Sequence, residues 1–360
     1  MLKKLVFSMG LALAALSTSA IACTGIVLKS ADGATVPART MEFGFDIESD
    51  LLVVPKGSKL RATLPPPFED GMLYEAKYGF VGANGLGRNI ILDGMNEKGL
   101  YLGAFYFSGF AQYSKVSEDN KKNAITSEEL GNWLLANFAT VEEVKAGLEN
   151  VTVVENYIKE IDGFAPIHWA LTDAGGHSIV VEYTKDGLKV HDNKIGVVTN
   201  NPTYDWHLTN LRNYVSLTPY NVHGFTVNGV DVKPLAEGSG MIGLPGDFTA
   251  PSRFVRAAAY VSSIRPMPTV GDAVFQAFHI LNAFDIPKGA IRAADEEGLS
   301  DYTIWTSVAD TAHQIYYFKT YLTPVKMKID VKRAIENVKG PTVIVMENNY
   351  EYKDMTPVKR

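Results

Sequence analysis

The chain of 360 residues contains a single cysteine, Cys23, and its position gives it unusual chemical options. Ala20-Ile21-Ala22 stands just before it, Lys3 and Lys4 form a short positive head, Leu5 to Leu16 is an apolar run broken by Ser8 and Gly10, and Ser17-Thr18-Ser19 is small and polar. This is the pattern of an export signal with a small-x-small cleavage site, and the apolar run is too short to span a bilayer. Residues 1–22 are therefore expected to be removed, which makes Cys23 the first residue of the mature protein. A thiol and a free α-amine then share one residue. An α-amine titrates at about 7.7–8.0, so much of it is available as a base near neutrality. A thiol of pKa about 8.5 is only a few per cent ionised there without help. The amine can take the thiol's own proton, and the thiolate can attack an acyl carbonyl.

Such a reaction needs donors for an oxyanion and charged groups to hold the amine. Three stretches supply candidates. Arg39-Thr40-Met41-Glu42 follows the turn signal Ala31-Asp32-Gly33, so a hairpin brings it across from Cys23. Thr199-Asn200-Asn201-Pro202 ends an apolar run, and an Asn amide there can donate to an oxyanion. Arg253 opens a helix, an odd place for a cation next to the helix dipole. Taken singly, each reads as an ordinary surface residue; the interest lies in the set.

Other chemistries are poorly supported. Gly238-Ser239-Gly240-Met241-Ile242-Gly243 matches a dinucleotide fingerprint as a string, but no strand leads into it and Leu244-Pro245-Gly246 follows where a helix should start, so it reads as a surface loop. The seven histidines show no metal-ligand spacing. No Gly-x-Ser-x-Gly elbow is present. A net charge of −6 argues against nucleic acid and anionic membrane as partners, and one cysteine precludes an internal disulfide. One rival reading takes Ala20-Ile21-Ala22-Cys23 as a weak lipoprotein box, which would make Cys23 a lipidated anchor for a binding protein.

The elements that must position these residues begin with strands at 24–28 and 35–41, followed by strands near 51–55, 76–82, 89–93 and 100–107. Thr126 with Glu129, and Thr140 with Glu143, look like capping boxes opening helices that run on to about residue 150. Strands return over 166–172, 178–183 and 188–198. Helices are expected at 205–216, 252–263 and 271–284, and strands at 301–307, 313–320 and 342–346. No repeat or linker stands out, so residues 23–360 read as one domain. Hairpins interrupted by helix pairs suggest two antiparallel sheets with helices outside.

These residues resemble the choloylglycine hydrolase family of N-terminal-nucleophile hydrolases, which includes bile salt hydrolases and penicillin V acylases. The resemblance runs from Cys23 to about residue 330 through Cys23-Thr24-Gly25, Ala38-Arg39-Thr40-Met41-Glu42, Asp93-Gly94-Met95-Asn96-Glu97-Lys98-Gly99-Leu100, Thr199-Asn200-Asn201-Pro202 and Gly243-Leu244-Pro245-Gly246-Asp247-Phe248. It implies an α+β fold, a four-layer αββα sandwich of two antiparallel sheets, and a thioester acyl-enzyme formed without metal or cofactor. It implies Cys23 as nucleophile and base, Arg39 beside the thiol, Asn200 and the backbone N–H of Tyr106 as the oxyanion hole, and Arg253 as a charged partner. A tyrosine at 106 is similar to the penicillin acylases. Glu42 stands where the family more often has aspartate to hold the amine. The resemblance further implies a small-molecule amide substrate with an apolar acyl group, a homotetramer and, with the export signal, a periplasmic location.

Overall fold

The computed structural model describes residues 22–292, 300–350 and 352–356. The export signal, residues 1–21, lies outside the described residues. The chain folds as the sequence predicts at the level of architecture. Ala31-Asp32-Gly33 turns β1 (Thr24–Lys29) back onto β2 (Thr35–Phe43), with Thr24 opposite Thr40 and Gly25 opposite Arg39. β1 and β2 lie inside a six-stranded antiparallel sheet, in the order 197–198, β1, β2, 302–310, 315–320 and 327–330. A second antiparallel sheet of eight strands runs 187–192, 178–184, 167–172, 101–106, 88–96, 80–85, 51–54 and 342–344.

Apolar residues decide how the sheets stack. Met41 of β2 belongs to one core with Val81, Ala83, Met95 and Phe105 of the second sheet, while Val36 and Ala38, on the alternate face of β2, belong to the part of it that runs into the helices Ala250–Ser263 and Val270–Asn282 outside the first sheet. A second core packs Leu130, Leu134, Val141 and Val144, from helices Leu130–Asn137 and Val141–Leu148, on Leu102, Trp169 and Val181 of the second sheet. The result is the four-layer αββα sandwich. β2 is buried along eight of its nine residues, so the polar members of Ala38-Arg39-Thr40-Met41-Glu42 are held between layers and must find partners there.

Several local expectations need correction. The predicted strand 76–82 is displaced to Phe80–Gly85, which joins Leu51–Val54 in the large sheet, and an unpredicted strand Asp70–Glu75 before it pairs with Lys59–Thr63 in a separate hairpin. The run 188–198 divides. Gly187–Asp192 pairs in the second sheet and Val197–Val198 in the first, and Gly196, in the left-handed region at φ 69°, makes the crossing. Thr126 does not cap a helix: it lies in a short strand, Ala124–Thr126, and its hydroxyl donates to Glu129 Oε2 at 3.2 Å. Thr140 does cap, accepting from the Glu143 N–H at 3.2 Å. Gly238–Gly243 forms a short turn rather than a strand-to-helix junction, as its flanking residues suggest.

Candidate active site

Cys23 sits at the start of β1, buried, where both sheets and the helix Ala250–Ser263 meet. Strand alternation sorts its neighbours. Continuing the β1–β2 register places Cys23 opposite Met41, and its Sγ lies 4.0 Å from Met41 Sδ and 4.0 Å from the Glu42 carbonyl oxygen. Arg39 shares that face, between the sheets. Its guanidinium lies over the Phe105 ring at 4.4 Å from the centroid and near Trp305 at 5.4 Å. Gly25 is on the same face, and a Cβ there would fall 2.7 Å from both Phe105 and Val198. The glycine of Cys23-Thr24-Gly25 is thus required so that Phe105 can lie against β1 and carry Arg39.

Arg39 also ends a ladder. Strands 88–96 and 101–106 pair from Met95–Tyr101 to Asp93–Gly103 and no further. The next rung would be Leu92 opposite Ala104, and Arg39 Nη1 donates to both of those carbonyls. Past this point the two strands separate. The Tyr106 N–H opens into the gap: Tyr106 is in register with Ile167, but the Ile167 N–H donates to the Tyr113 hydroxyl at 2.7 Å and the Phe107 N–H to Pro166 at 2.6 Å. The Tyr106–Ile167 pair is therefore of the non-hydrogen-bonded kind, with its N–H groups facing away from each other's strand.

On the opposite face of β1 and β2, Arg253 reaches in from the first turn of its helix. Its Nε donates to Phe248 O at 2.8 Å, its Nη1 to Thr24 Oγ1 at 3.0 Å and to the Cys23 carbonyl, and its Nη2 to Asn200 Oδ1 at 2.7 Å. The same Asn200 oxygen accepts from the Cys23 nitrogen at 2.7 Å, a peptide N–H in the full chain. Asn200 Nδ2 donates to Tyr106 O at 2.9 Å and has a second N–H left over. Asn200 thereby ties together the nucleophile's nitrogen, Arg253 and Tyr106. Glu42 Oε1 accepts from Thr303 Oγ1 at 2.8 Å, and its Oε2 has no partner among the described residues.

The six residues singled out in the sequence, Cys23, Arg39, Glu42, Tyr106, Asn200 and Arg253, therefore converge. Thr303, His168 and His207 were not singled out. Thr303 belongs to a strand 261 residues from Glu42 and carries no motif. The histidines were weighed only as metal ligands, and among the described residues no three His, Cys, Asp or Glu side chains gather as a metal site.

Burial dominates the electrostatics. It pushes the Cys23 thiol up, against the pull of the Arg39 guanidinium, and Glu42 adds to the rise. It pushes the Glu42 carboxyl up to about 8, although Arg253 and the Thr303 hydroxyl oppose it. It lowers Arg253 to about 10. In Arg39 burial is outweighed by the charges of Cys23 and Asp93, which favour the cation.

The thiol opens into a pocket between the sheets. Its walls include Met41, Phe43, Leu86, Leu92, Phe105 and Ile167, and the one ionisable residue among them besides Cys23 and Tyr106 is Glu128. Glu128 Oε1 accepts from Asn156 Nδ2 at 2.8 Å; Ser127 Oγ lies 3.4 Å from Oε2 but donates to Ala165 O at 2.9 Å. The pocket suits an apolar acyl group.

Residues 23–342 match the family model of linear amide C–N hydrolases, choloylglycine hydrolase family. The chain belongs to that family. It is 35% identical over 329 residues to a bile salt hydrolase/transferase of Clostridium perfringens, covering 91% of this chain and 97% of the relative. It is 28% identical over 343 residues to a penicillin V acylase of Pectobacterium atrosepticum, covering 88% and 83%. Among solved structures, a single-residue variant of the conjugated bile acid hydrolase from Clostridium perfringens superposes with a TM-score of 0.81 at 32% identity, over 93% of this chain and all of that one. A penicillin V acylase from Agrobacterium tumefaciens superposes with a TM-score of 0.69 at 28% identity, over 86% and 87%. The fold is that of the N-terminal-nucleophile hydrolases, and the chain is a linear amide hydrolase.

Proposed function

We propose that this protein is an exported amidase that uses Cys23 as an N-terminal nucleophile on amides with an apolar acyl group, penicillin V first among them. The observation that carries the reading is the thiol opening into a pocket whose walls, apart from Tyr106 and Glu128, are apolar. In this reading the α-amine takes the thiol proton and Sγ attacks the acyl carbonyl. The oxyanion is held by the Tyr106 N–H and the second N–H of Asn200. The amine returns the proton to the leaving nitrogen as the C–N bond breaks, which leaves a thioester. Water, deprotonated by the same amine, then attacks the thioester and frees Cys23. Arg39 and Arg253 supply positive charge on either side, and Glu42 holds the ammonium form through its unpartnered oxygen.

A second reading, conjugated bile salt hydrolysis, is favoured by the higher identity to the Clostridium perfringens relative. Acyl homoserine lactones share the same linkage and enter as a third class. A panel of penicillin V, penicillin G, glycocholate, taurocholate and acyl homoserine lactones decides among them. The expected result is fastest turnover of penicillin V; preference for the conjugated bile salts would replace this reading with the second. Export to the periplasm rests on residues 1–22 and on a family match that starts at Cys23. The intact mass of the secreted protein tests it, because added acyl chains would mean a lipidated anchor instead. Assembly as a homotetramer is supported by the exposed hairpin 225–232, with Phe225, Val227, Val230 and Val232 in solvent. Light scattering of the purified protein checks it.

A further inference from the structure

Asn200 makes three contacts at the site, so what fixes Asn200 matters to the chemistry. Its backbone is held by two buried histidines from different layers. His168, in the strand Ile167–Thr172, has Nε2 2.9 Å from the carbonyl of Thr199. His207, in the helix Tyr204–Leu211, has Nε2 2.9 Å from the carbonyl of Asn200 itself. The two rings are clamped by aromatic stacking. His168 lies on Phe107 at 4.4 Å and 5°, and His207 on Phe254 at 4.7 Å and 10°.

Each ring has a defined donor. His168 Nδ1 faces Glu182 Oε1 at 3.2 Å, and Glu182 is its cross-strand neighbour when the 167–172/178–184 register is continued. Both nitrogens of His168 thus face oxygen atoms. Glu182 is fully buried and accepts also from the Tyr204 N–H at 2.9 Å, with His191 Nε2 at 3.4 Å from its other oxygen. Burial opposes its charge, yet the hydrogen bonds from His168 and His191 hold its carboxyl down to about 2. His207 is the reverse case. Burial pushes it down to about 4, its Nδ1 has no partner among the described residues, and its Nε2 hydrogen serves Asn200 alone.

We propose that His168, backed by Glu182, and His207 are positioning residues that hold the Thr199–Asn200 backbone so that the Asn200 side chain meets the Cys23 nitrogen and the developing oxyanion. This rests on the N-terminal-nucleophile reading of Cys23, though not on which amide is cleaved. Removing either imidazole donor lets the Asn200 carbonyl or the peptide before it rotate. The Asn200 amide then drifts from both of its tasks, and misplacement on the ångström scale costs rate more than binding.

The test uses enzyme processed from the full chain, with Cys23 confirmed as the first residue by intact mass. His207→Leu removes the donor, and His207→Gln restores one. The expected result for His207→Leu is a fall in kcat of about ten-fold or more with KM within about two-fold, and recovery of most of kcat in His207→Gln. A second readout needs no substrate: Cys23 is the sole thiol, so its alkylation by iodoacetamide reports the hold of the amine on the thiol. Alkylation should slow in His207→Leu and recover in His207→Gln. Mere loosening of the fold would expose the buried thiol and speed alkylation instead. His168→Leu and His168→Gln repeat the contrast, but the first strands the Glu182 charge and risks misfolding, so the His207 pair carries the decision. Parent-like kcat in His207→Leu, a loss that appears in KM and tracks the melting temperature, or faster alkylation overturns the proposal. An enzyme inert to the substrate panel that still shows the alkylation contrast would overturn the substrate reading and leave this one standing.

Discussion

Two buried carboxylates, Glu42 next to the residue that faces Cys23 across β1 and β2, and Glu182 behind the His168 that reaches the Thr199 carbonyl, behave in opposite ways. Glu182 Oε1 faces an imidazole and accepts a backbone N–H, its Oε2 makes no hydrogen bond among the described residues although His191 stands 3.4 Å away, and its carboxyl is held down to about 2. Glu42 has one hydroxyl on Oε1 and nothing on Oε2 among the described residues, and burial drives it up to about 8. Burial is common to the two sites; the number of donors differs. Glu182 has two partners at Oε1 and an imidazole close to Oε2. Glu42 has no cation hydrogen-bonded to it among the described residues, and in the proposed mechanism the free amine of Cys23 fills that place.

The strongest way to break this comparison is to take away the amine or the thiol of Cys23. A folded chain with one extra residue before Cys23, or with Cys23→Ser, should lose turnover by about 10³-fold or more with little change in melting temperature, because base or nucleophile is gone. Parent-like turnover by either protein, measured on any substrate the enzyme accepts, moves the chemistry away from this residue. Next, Glu42→Gln should lower kcat by about 10²-fold, the usual contribution of a positioned base. Glu42→Asp separates a backbone-set geometry, which retains activity, from a site rebuilt around the longer side chain, which loses it.

The two regions meet at Phe105, whose ring carries Arg39, abuts Gly25 and stands edge-on to His168 at 6.0 Å. Gly25→Ala should therefore cost about 1–3 kcal/mol of stability, as overpacking does, and lower activity as well. Thermal melts and rates measured together check this, and an unchanged melting point would mean that Phe105 yields freely.

The smallest effect is in the pH dependence of stability. The folded-state pKa of Glu42 is raised above the ordinary glutamate value of 4.5, so its contribution is fully present below that value and is lost as pH rises through about 8. Glu182 is the mirror case, its contribution present above 4.5 and lost as pH falls through about 2. Melting temperature should thus decline between about pH 5 and 8 in the chain that retains residues ahead of Cys23. The decline should shrink in the processed enzyme, where the ammonium favours the carboxylate. Equal slopes in the two proteins would mean that the amine does not reach Glu42.

These regions were not equally legible in the sequence. The nucleophile side could be read because its parts are local or carry motifs: a turn of Ala31-Asp32-Gly33 sets Arg39 against Gly25, and Asn200 and Arg253 stand in recognisable strings. Two antiparallel sheets with helices outside followed from the hairpin and helix signals, and the four-layer order from the family resemblance. The Glu182 side could not be read. His168 and His207 act through single hydrogen bonds to backbone carbonyls, and a histidine that donates to a carbonyl has no spacing of its own. Thr303 reaches Glu42 only through the order in which distant strands join the sheet. The strand break at Gly196 was missed for a related reason, since apolar residues continue on both sides of it while their partners change sheets.

Arg39 gives the pocket its origin. With its guanidinium on the carbonyls of Leu92 and Ala104, the rung after Asp93–Gly103 cannot close, and those two residues become walls of the acyl pocket instead. The binding site is in effect an unfinished stretch of β-sheet, kept open by a wedge. The strand segments beyond the wedge are free of pairing duty on that side, so their side chains can change to fit acyl groups of another shape while the nucleophile, seated on the other sheet, keeps its place.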